Sequence, residues 1–294
     1  MTSTPFGRVL TAMVTPLTAD GALDLARAAE LADRLVSQGN DGLVVSGTTG
    51  EAPTTSREEK ADLLRAVVDA VGGRAHVLAG VGSNDTAHSV ELARDAEKAG
   101  VTGLLSVTPY YSKPPQSGIV AHSLEIAEAT ALPVMLYDIP HRTGVALAHR
   151  TLLELGRHPQ VVAVKDAKDD LAATSRLLAE SDLAVYSGTD ALNLPLLSLG
   201  AVGLVSVVSH IVTPQLVELL NAWEARDVAR AQALNLQLQP VYTGLFRTQG
   251  VILTKAALQL LGFPVGPVRL PLVDATVDEV VTLREDLRRA GVLA

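Results

Sequence analysis

Cysteine is absent from this 294-residue chain, which excludes disulfides, thiolate metal sites and a thiol nucleophile in one step. Aromatic residues make up only 3% of it, with a single tryptophan, so any core has to be aliphatic. Alanine, leucine, valine and glycine dominate instead, a mixture suited to helices packed around buried strands. Long apolar runs are also missing. None approaches the roughly 18 residues of a membrane span, so none is expected. The N-terminus lacks the basic start and apolar core of a secretory signal, and the expected location is cytoplasmic. Basic residues are fewer than acidic ones, 24 against 32, and they are scattered, so a nucleic-acid partner is not expected. The seven histidines form no HxH or HExxH spacing, and no metal is expected. Nor is a cofactor: no GxGxxG follows the first apolar run, and the one GTTG turn lacks the lysine of a phosphate-binding loop.

What the sequence does contain is a repeated alternation. Short apolar runs end in Gly, Ser, Thr or Pro, and amphipathic stretches follow them. The runs are Val9–Val14, Gly42–Ser46, His76–Gly80, Gly103–Val107, Val134–Tyr137, Val161–Lys165, Ala184–Ser187 and Gly203–Val207. Between them, Leu25–Ser37, Arg57–Val71, Thr86–Ala99, Gln116–Ala129 and Pro214–Ala225 carry helical periodicity. Continuous apolar strands are covered on both faces, as in a parallel sheet. Eight βα units predict a TIM barrel, (β/α)8, in the α/β class. Asp24 and Ser56 are placed to cap helices, with Glu59 completing a capping box. Gly39, Gly72 and Gly100 stand just past helix ends, where a left-handed residue is often needed. After about residue 226 the strand pattern stops. Asp227–Leu238, Val251–Leu261 and Val277–Ala290 read as helices. The expected organisation is a catalytic barrel over residues 1–226 and a C-terminal helical appendage over residues 227–294.

A barrel of this kind holds its chemistry at the C-terminal ends of its strands. There are six lysines, and five lie in helical or loop patterns where water can reach them. Lys165 alone closes a buried strand, Val161-Val162-Ala163-Val164. Burial lowers an ammonium's pKa, and a neutral amine is what a Schiff-base nucleophile requires. The plainer alternative is a structural ion pair with a carboxylate such as Asp166. Tyr137 ends the preceding strand, about 5 Å away in a sheet, and its phenol can relay protons beside an imine. A rim tyrosine with its ring in the core is the competing reading. Gly47-Thr48-Thr49-Gly50-Glu51 follows the second strand. Its glycines let backbone amides approach a ligand, and its hydroxyls suit a small carboxylate, although an ordinary glycine turn would look the same. Arg142, in Ile139-Pro140-His141-Arg142-Thr143-Gly144, can bind a carboxylate bidentately or be a surface arginine.

Taken together, GTTGE at 47–51, VTPYYSKP at 107–114, YDIPHRTG at 137–144, VKDA at 164–167, SGTDA at 187–191 and GLVSV at 203–207 resemble the dihydrodipicolinate synthase / N-acetylneuraminate lyase family. The resemblance covers essentially the whole chain. It implies a lyase in which Lys165 forms an imine with pyruvate and the enamine attacks L-aspartate 4-semialdehyde, in the biosynthesis of diaminopimelate and lysine. It further implies Tyr137 as acid/base partner, Thr48 as link to Tyr111, and Thr49 with its neighbouring amides as holder of the pyruvate carboxylate. Arg142 would hold the semialdehyde carboxylate, and the Val205 carbonyl would line the site. Because the second tyrosine of the PYY motif reaches in from a neighbouring subunit in this family, Tyr111 implies an oligomer, commonly a homotetramer built as a dimer of dimers. One departure stands out: Thr189 occupies a position where the family often has aspartate.

Two other functions compete. A sister aldolase acting on N-acetylneuraminate or a 2-keto-3-deoxy sugar acid would keep Lys165 and Tyr137 but has no evident use for Arg142. A catalytically silent barrel serving as a sensor would not need Lys165, Tyr137, Thr48 and Tyr111 together.

Overall fold

The computed structural model describes residues 4–294. Eight strands close into a barrel in sequence order, and every neighbouring pair is parallel, including β1 with β8. They are β1 (Val9–Ala12), β2 (Gly42–Val45), β3 (His76–Gly80), β4 (Gly103–Val107), β5 (Val134–Asp138), β6 (Val161–Asp166), β7 (Ala184–Ser187) and β8 (Gly203–Ser206). The helices between them are α1 (Leu25–Ser37), α2 (Arg57–Val71), α3 (Thr86–Lys98), α4 (Gln116–Glu128), α5 (Pro140–Thr143), α6 (His149–Leu155), α7 (Leu171–Glu180) and α8 (Asn193–Leu199). Then follow α9 (Ser209–Glu224), α10 (Val228–Gly244), α11 (Gly250–Leu260) and α12 (Val277–Arg289).

Three layers of apolar side chains hold this together. Inside the barrel, Phe6, Leu10, Val44, Leu78, Met135 and Tyr186 are buried against one another. At its N-terminal end the Tyr186 phenol donates to the Gly7 carbonyl at 3.0 Å and accepts from the Phe6 amide at 3.2 Å, plugging the floor. A second cluster fills the space between strands and helices, with Leu31, Leu43, Val67, Val77, Ile126 and Val164 among its members. A third joins β8 and α9 to α10, α11 and α12 through Leu204, Leu216, Leu238, Leu253 and Leu283. Truncating one such leucine to alanine typically costs about 2–5 kcal/mol.

The caps follow from the sequence, with one exception. Asp24 accepts from the Arg27 amide, and Ser56 with Glu59 makes both bonds of the capping box. Gly39 and Gly100 are left-handed at φ 110° and 82°. Gly72 is not: it caps α2 at φ −59°, in right-handed geometry, because its amide closes one more helical bond to Val68. Elsewhere α9 starts five residues before Pro214. Val212, at φ −131°, breaks the helix, and Pro214 sits just inside the segment that follows. α10 runs past Pro240, where buried Val241 and Tyr242 hold the chain in place. No helix among the described residues is long and apolar enough to cross a membrane.

Candidate active site

β5 and β6 bring two of the expected residues together directly. Tyr137 and Lys165 are register partners on these adjacent strands. Side chains alternate along a strand, so both point into the barrel mouth while Asp138 and Asp166 point outward. Lys165 Nζ lies 4.2 Å from the centroid of the Tyr137 ring, and the two residues are each 5% exposed. The structural pairing of Lys165 with Asp166 does not occur. Asp166 instead accepts from the Lys168 amide at 3.0 Å and the Thr174 hydroxyl at 2.5 Å, behind the sheet.

Burial pushes the Lys165 ammonium down to about 8. The Asp190 carboxylate works against that fall, and the Arg142 guanidinium adds to it. Asp190 is a group whose part the sequence leaves unread. It accepts from Ser206 Oγ at 2.5 Å and from the Val207 and Val208 amides at 2.9 and 3.1 Å, which fixes it beneath the end of β8. Gly188 matters to the same lysine: a Cβ there would stand 2.9 Å from Lys165 Cγ and 3.0 Å from the Asp166 carbonyl oxygen. Tyr137 is pushed up to about 12 by burial, with the Arg142 charge and the Thr48 hydroxyl pulling the other way. It is therefore a neutral phenol at physiological pH, able to donate and accept.

A cavity of about 410 Å³ opens beside this pair, with Thr48, Tyr110, Tyr137 and Arg142 on its wall. Lys165 does not line it; its Nζ lies against the Tyr137 ring, which does. Arg142 stands in α5, a single turn begun by Pro140 and ended by Gly144 at φ 78°, and its side chain is exposed. Thr48 and Thr49 sit in the turn after β2. Among the described residues, neither of their amides is taken by another backbone carbonyl. Thr48 lines the cavity, and a free amide there suits a carboxylate. Val205 is buried in the interior cluster on β8. Tyr111 is not brought to this cavity in its own chain. It is 89% exposed, at φ 71°.

Two lysines that the sequence allows to be solvated are buried. Lys60 is 8% exposed and donates to the Ala52 and Thr55 carbonyls. Lys255 is 5% exposed and pairs with Glu51. Their amphipathic helices give no sign of it, because a hydrophobic pattern does not reveal which polar position meets an internal partner.

Comparison with known proteins gives the family. The family model described as "Dihydrodipicolinate synthetase family" matches residues 5–290. A protein of Acidothermus cellulolyticus named 4-hydroxy-tetrahydrodipicolinate synthase is 63% identical over 287 residues, covering 98% of this chain and 93% of its own. One from Streptomyces coelicolor, 4-hydroxy-tetrahydrodipicolinate synthase 2, is 61% identical over 289 residues, covering 98% and 97%. Among solved structures, dihydrodipicolinate synthase from Cyanidioschyzon merolae with lysine bound superposes with a TM-score of 0.96 at 42% identity, over 99% of this chain and 100% of that one. With a match from end to end in sequence and in fold, the chain belongs to the dihydrodipicolinate synthetase family and is an enzyme.

Proposed function

We propose that the chain condenses pyruvate with L-aspartate 4-semialdehyde through an imine on Lys165, giving 4-hydroxy-tetrahydrodipicolinate on the route to diaminopimelate and lysine. The observation that carries this reading is the Lys165 amine, buried, lowered to about 8 and set against the Tyr137 ring at the mouth of the barrel. The amine adds to the keto carbon of pyruvate, and water leaves as the imine forms. Loss of a methyl proton gives the enamine, which attacks the aldehyde carbon of the second substrate. The new alkoxide takes up a proton. The substrate's own amino group then displaces Lys165 from the imine carbon, closing the ring and freeing the enzyme.

The family resemblance gives each residue a role. Tyr137 passes protons at the imine carbon, and Thr48 connects it to Tyr111. The Thr48 and Thr49 amides, with the Thr49 hydroxyl, receive the pyruvate carboxylate. Arg142 receives the semialdehyde carboxylate, and its presence favours this substrate over a sugar acid, which has no carboxylate on the aldehyde component. The Val205 carbonyl lines the inner wall. Tyr111 points away from its own cavity and completes that of a second copy, in a homotetramer built as a dimer of dimers. The barrel of residues 1–226 is the catalytic unit, with residues 227–294 as its appendage and a cytoplasmic setting for both.

The test is reduction with borohydride in the presence of pyruvate, followed by peptide mass mapping and then an assay with L-aspartate 4-semialdehyde. We expect one pyruvate-derived mass on Lys165 and turnover of the semialdehyde. Label on Lys168 or Lys255, or on no lysine, would sink the reading.

A further inference from the structure

The turn that carries Thr48 and Thr49 is held from the far end of the chain. Glu51 closes the turn with its backbone in the left-handed region, φ 54°, a sparsely populated conformation for a residue with a Cβ. Such a conformation persists only where surrounding contacts over-determine it, and it collects at functional sites. Here the contacts come from α11 and the segment after it. Glu51 Oε1 lies 2.7 Å from Lys255 Nζ, with the two side chains 2% and 4% exposed. Glu51 Oε2 accepts from the Arg269 amide at 2.8 Å. Lys255 also donates to the Pro267 carbonyl at 2.6 Å, which ties the ion pair to the same segment. On the other side, the Thr15 hydroxyl donates to the Gly50 carbonyl at 2.6 Å.

A buried ion pair is a poor way to gain stability, since well-packed apolar side chains of similar volume often do as well. What it gives is a fixed geometry. The turn has three backbone bonds near this point: Gly50 N–H to the Gly47 carbonyl at 3.0 Å, Glu51 N–H to the Thr48 carbonyl at 3.2 Å and Ala52 N–H to the Gly47 carbonyl at 3.3 Å. The last of these spans Glu51 and depends on its backbone angles, and the Glu51 carboxylate is held by Lys255 and the Arg269 amide, not by the barrel strands. The turn that carries the Thr48 and Thr49 amides is thus tied at its end to α11 and the segment after it.

We propose that Glu51 and Lys255 are positioning residues for pyruvate: their buried pair holds the Gly47–Glu51 turn so that its free amides receive the substrate carboxylate. Neither residue touches substrate. The inference rests on the imine reading of Lys165 above, and it assigns the C-terminal helices a part in substrate binding.

Removing one partner leaves a buried charge unpaired and threatens folding. The informative variant is therefore the double substitution Glu51→Gln with Lys255→Met, compared with the native enzyme and with each single change. Circular dichroism and thermal unfolding report the fold. Steady-state assays report KM for each substrate, and borohydride labelling at graded pyruvate reports imine formation. We expect the folded double variant to show a pyruvate KM raised tenfold or more, a matching shift in the pyruvate dependence of labelling, and a semialdehyde KM changed by less than about twofold. A native pyruvate KM in the double variant overturns the proposal. So does a parallel loss of both KM values, which marks a merely structural pair, and so does a double variant that does not fold. If the native enzyme itself takes no label from pyruvate, the imine reading fails and this inference with it; native labelling with an unshifted double variant overturns this inference alone.

Discussion

Lys165 is held where water cannot solvate its charge, and its ammonium titrates at about 8 instead of 10.5. At pH 7 about a tenth of such amines are neutral, roughly 300 times the fraction in a free lysine. We expect the rate of imine formation with pyruvate to climb about tenfold between pH 7 and pH 9 and then level off. A profile flat over that range would contradict the assignment. The same shift is a stability statement. The unfolded lysine keeps its proton up to about 10.5 while the folded one releases it near 8, so the unfolded state binds more protons between those values and stability rises with pH across them. At pH 7 the buried ammonium costs on the order of 3 kcal/mol. Lys165→Met is accordingly expected to abolish labelling while raising the thermal midpoint; a lowered midpoint would show that the ammonium is structurally required. Arg142 tests the second substrate. With its head group exposed on the cavity wall, Arg142→Ala is expected to lose semialdehyde turnover by roughly 2 kcal/mol in kcat/KM, about thirtyfold, with pyruvate labelling intact. Equal loss in both measurements would make Arg142 structural.

At the level of elements, the sequence was legible wherever period and punctuation agreed. The eight apolar runs lie within two residues of the eight strands because both faces of a barrel strand are buried and the run stops where burial stops. The inward aim of Lys165 and Tyr137 follows from strand alternation once their register is known. Two things could not be read: the short helices α5, α6, α7 and α8, each of ten residues or fewer, which give a helical period little length to show, and the contacts that join distant segments. Arg269 is of the second kind. Its guanidinium reaches the capping-box residue Glu59 at 2.5 and 2.8 Å and the Thr54 carbonyl at 2.7 Å, across some 210 residues. Its hydrogen bonds hold the Glu59 carboxyl at about 2 against an ordinary 4.5. A depressed carboxylate stabilises the fold above its unfolded pKa, and that contribution disappears as pH falls from about 4.5 to 2. Both side chains keep some exposure, 29% and 21%, so solvent screening trims the pair to about 1–2 kcal/mol. Glu59→Gln is expected to lower stability at pH 7 by that amount and to flatten the loss between about pH 4.5 and 2. An unchanged acid-unfolding curve would assign that loss to other carboxylates.

The whole molecule raises the question of whether one chain contains a complete site. Tyr111 is the largest solvent-facing aromatic of the barrel rim, 89% exposed and left-handed, and Lys113 two residues on is left-handed as well. An exposed tyrosine on a strained loop has no evident use to an isolated chain, whereas a second copy can bury it in the cavity beside Thr48. If Tyr111 acts across the interface, two differently disabled chains can repair each other. Lys165→Met removes the nucleophile and Tyr111→Phe removes the hydroxyl of the relay; each is expected to lose 100-fold or more in turnover as a pure assembly. In a mixed pair, the site built on the Tyr111→Phe chain has its own Lys165 and receives Tyr111 from the Lys165→Met chain, so it is whole, while the other site has neither. Random reassembly of equal amounts makes half of the pairs mixed, and each mixed pair has one working site in two. We therefore expect about a quarter of native activity after the two inactive proteins are dissociated together and allowed to reassociate, with sedimentation confirming an oligomer. Activity that stays at the level of the separate variants, in assemblies shown by mass spectrometry to be mixed, would place the Tyr111 hydroxyl within its own chain's site or outside the reaction altogether.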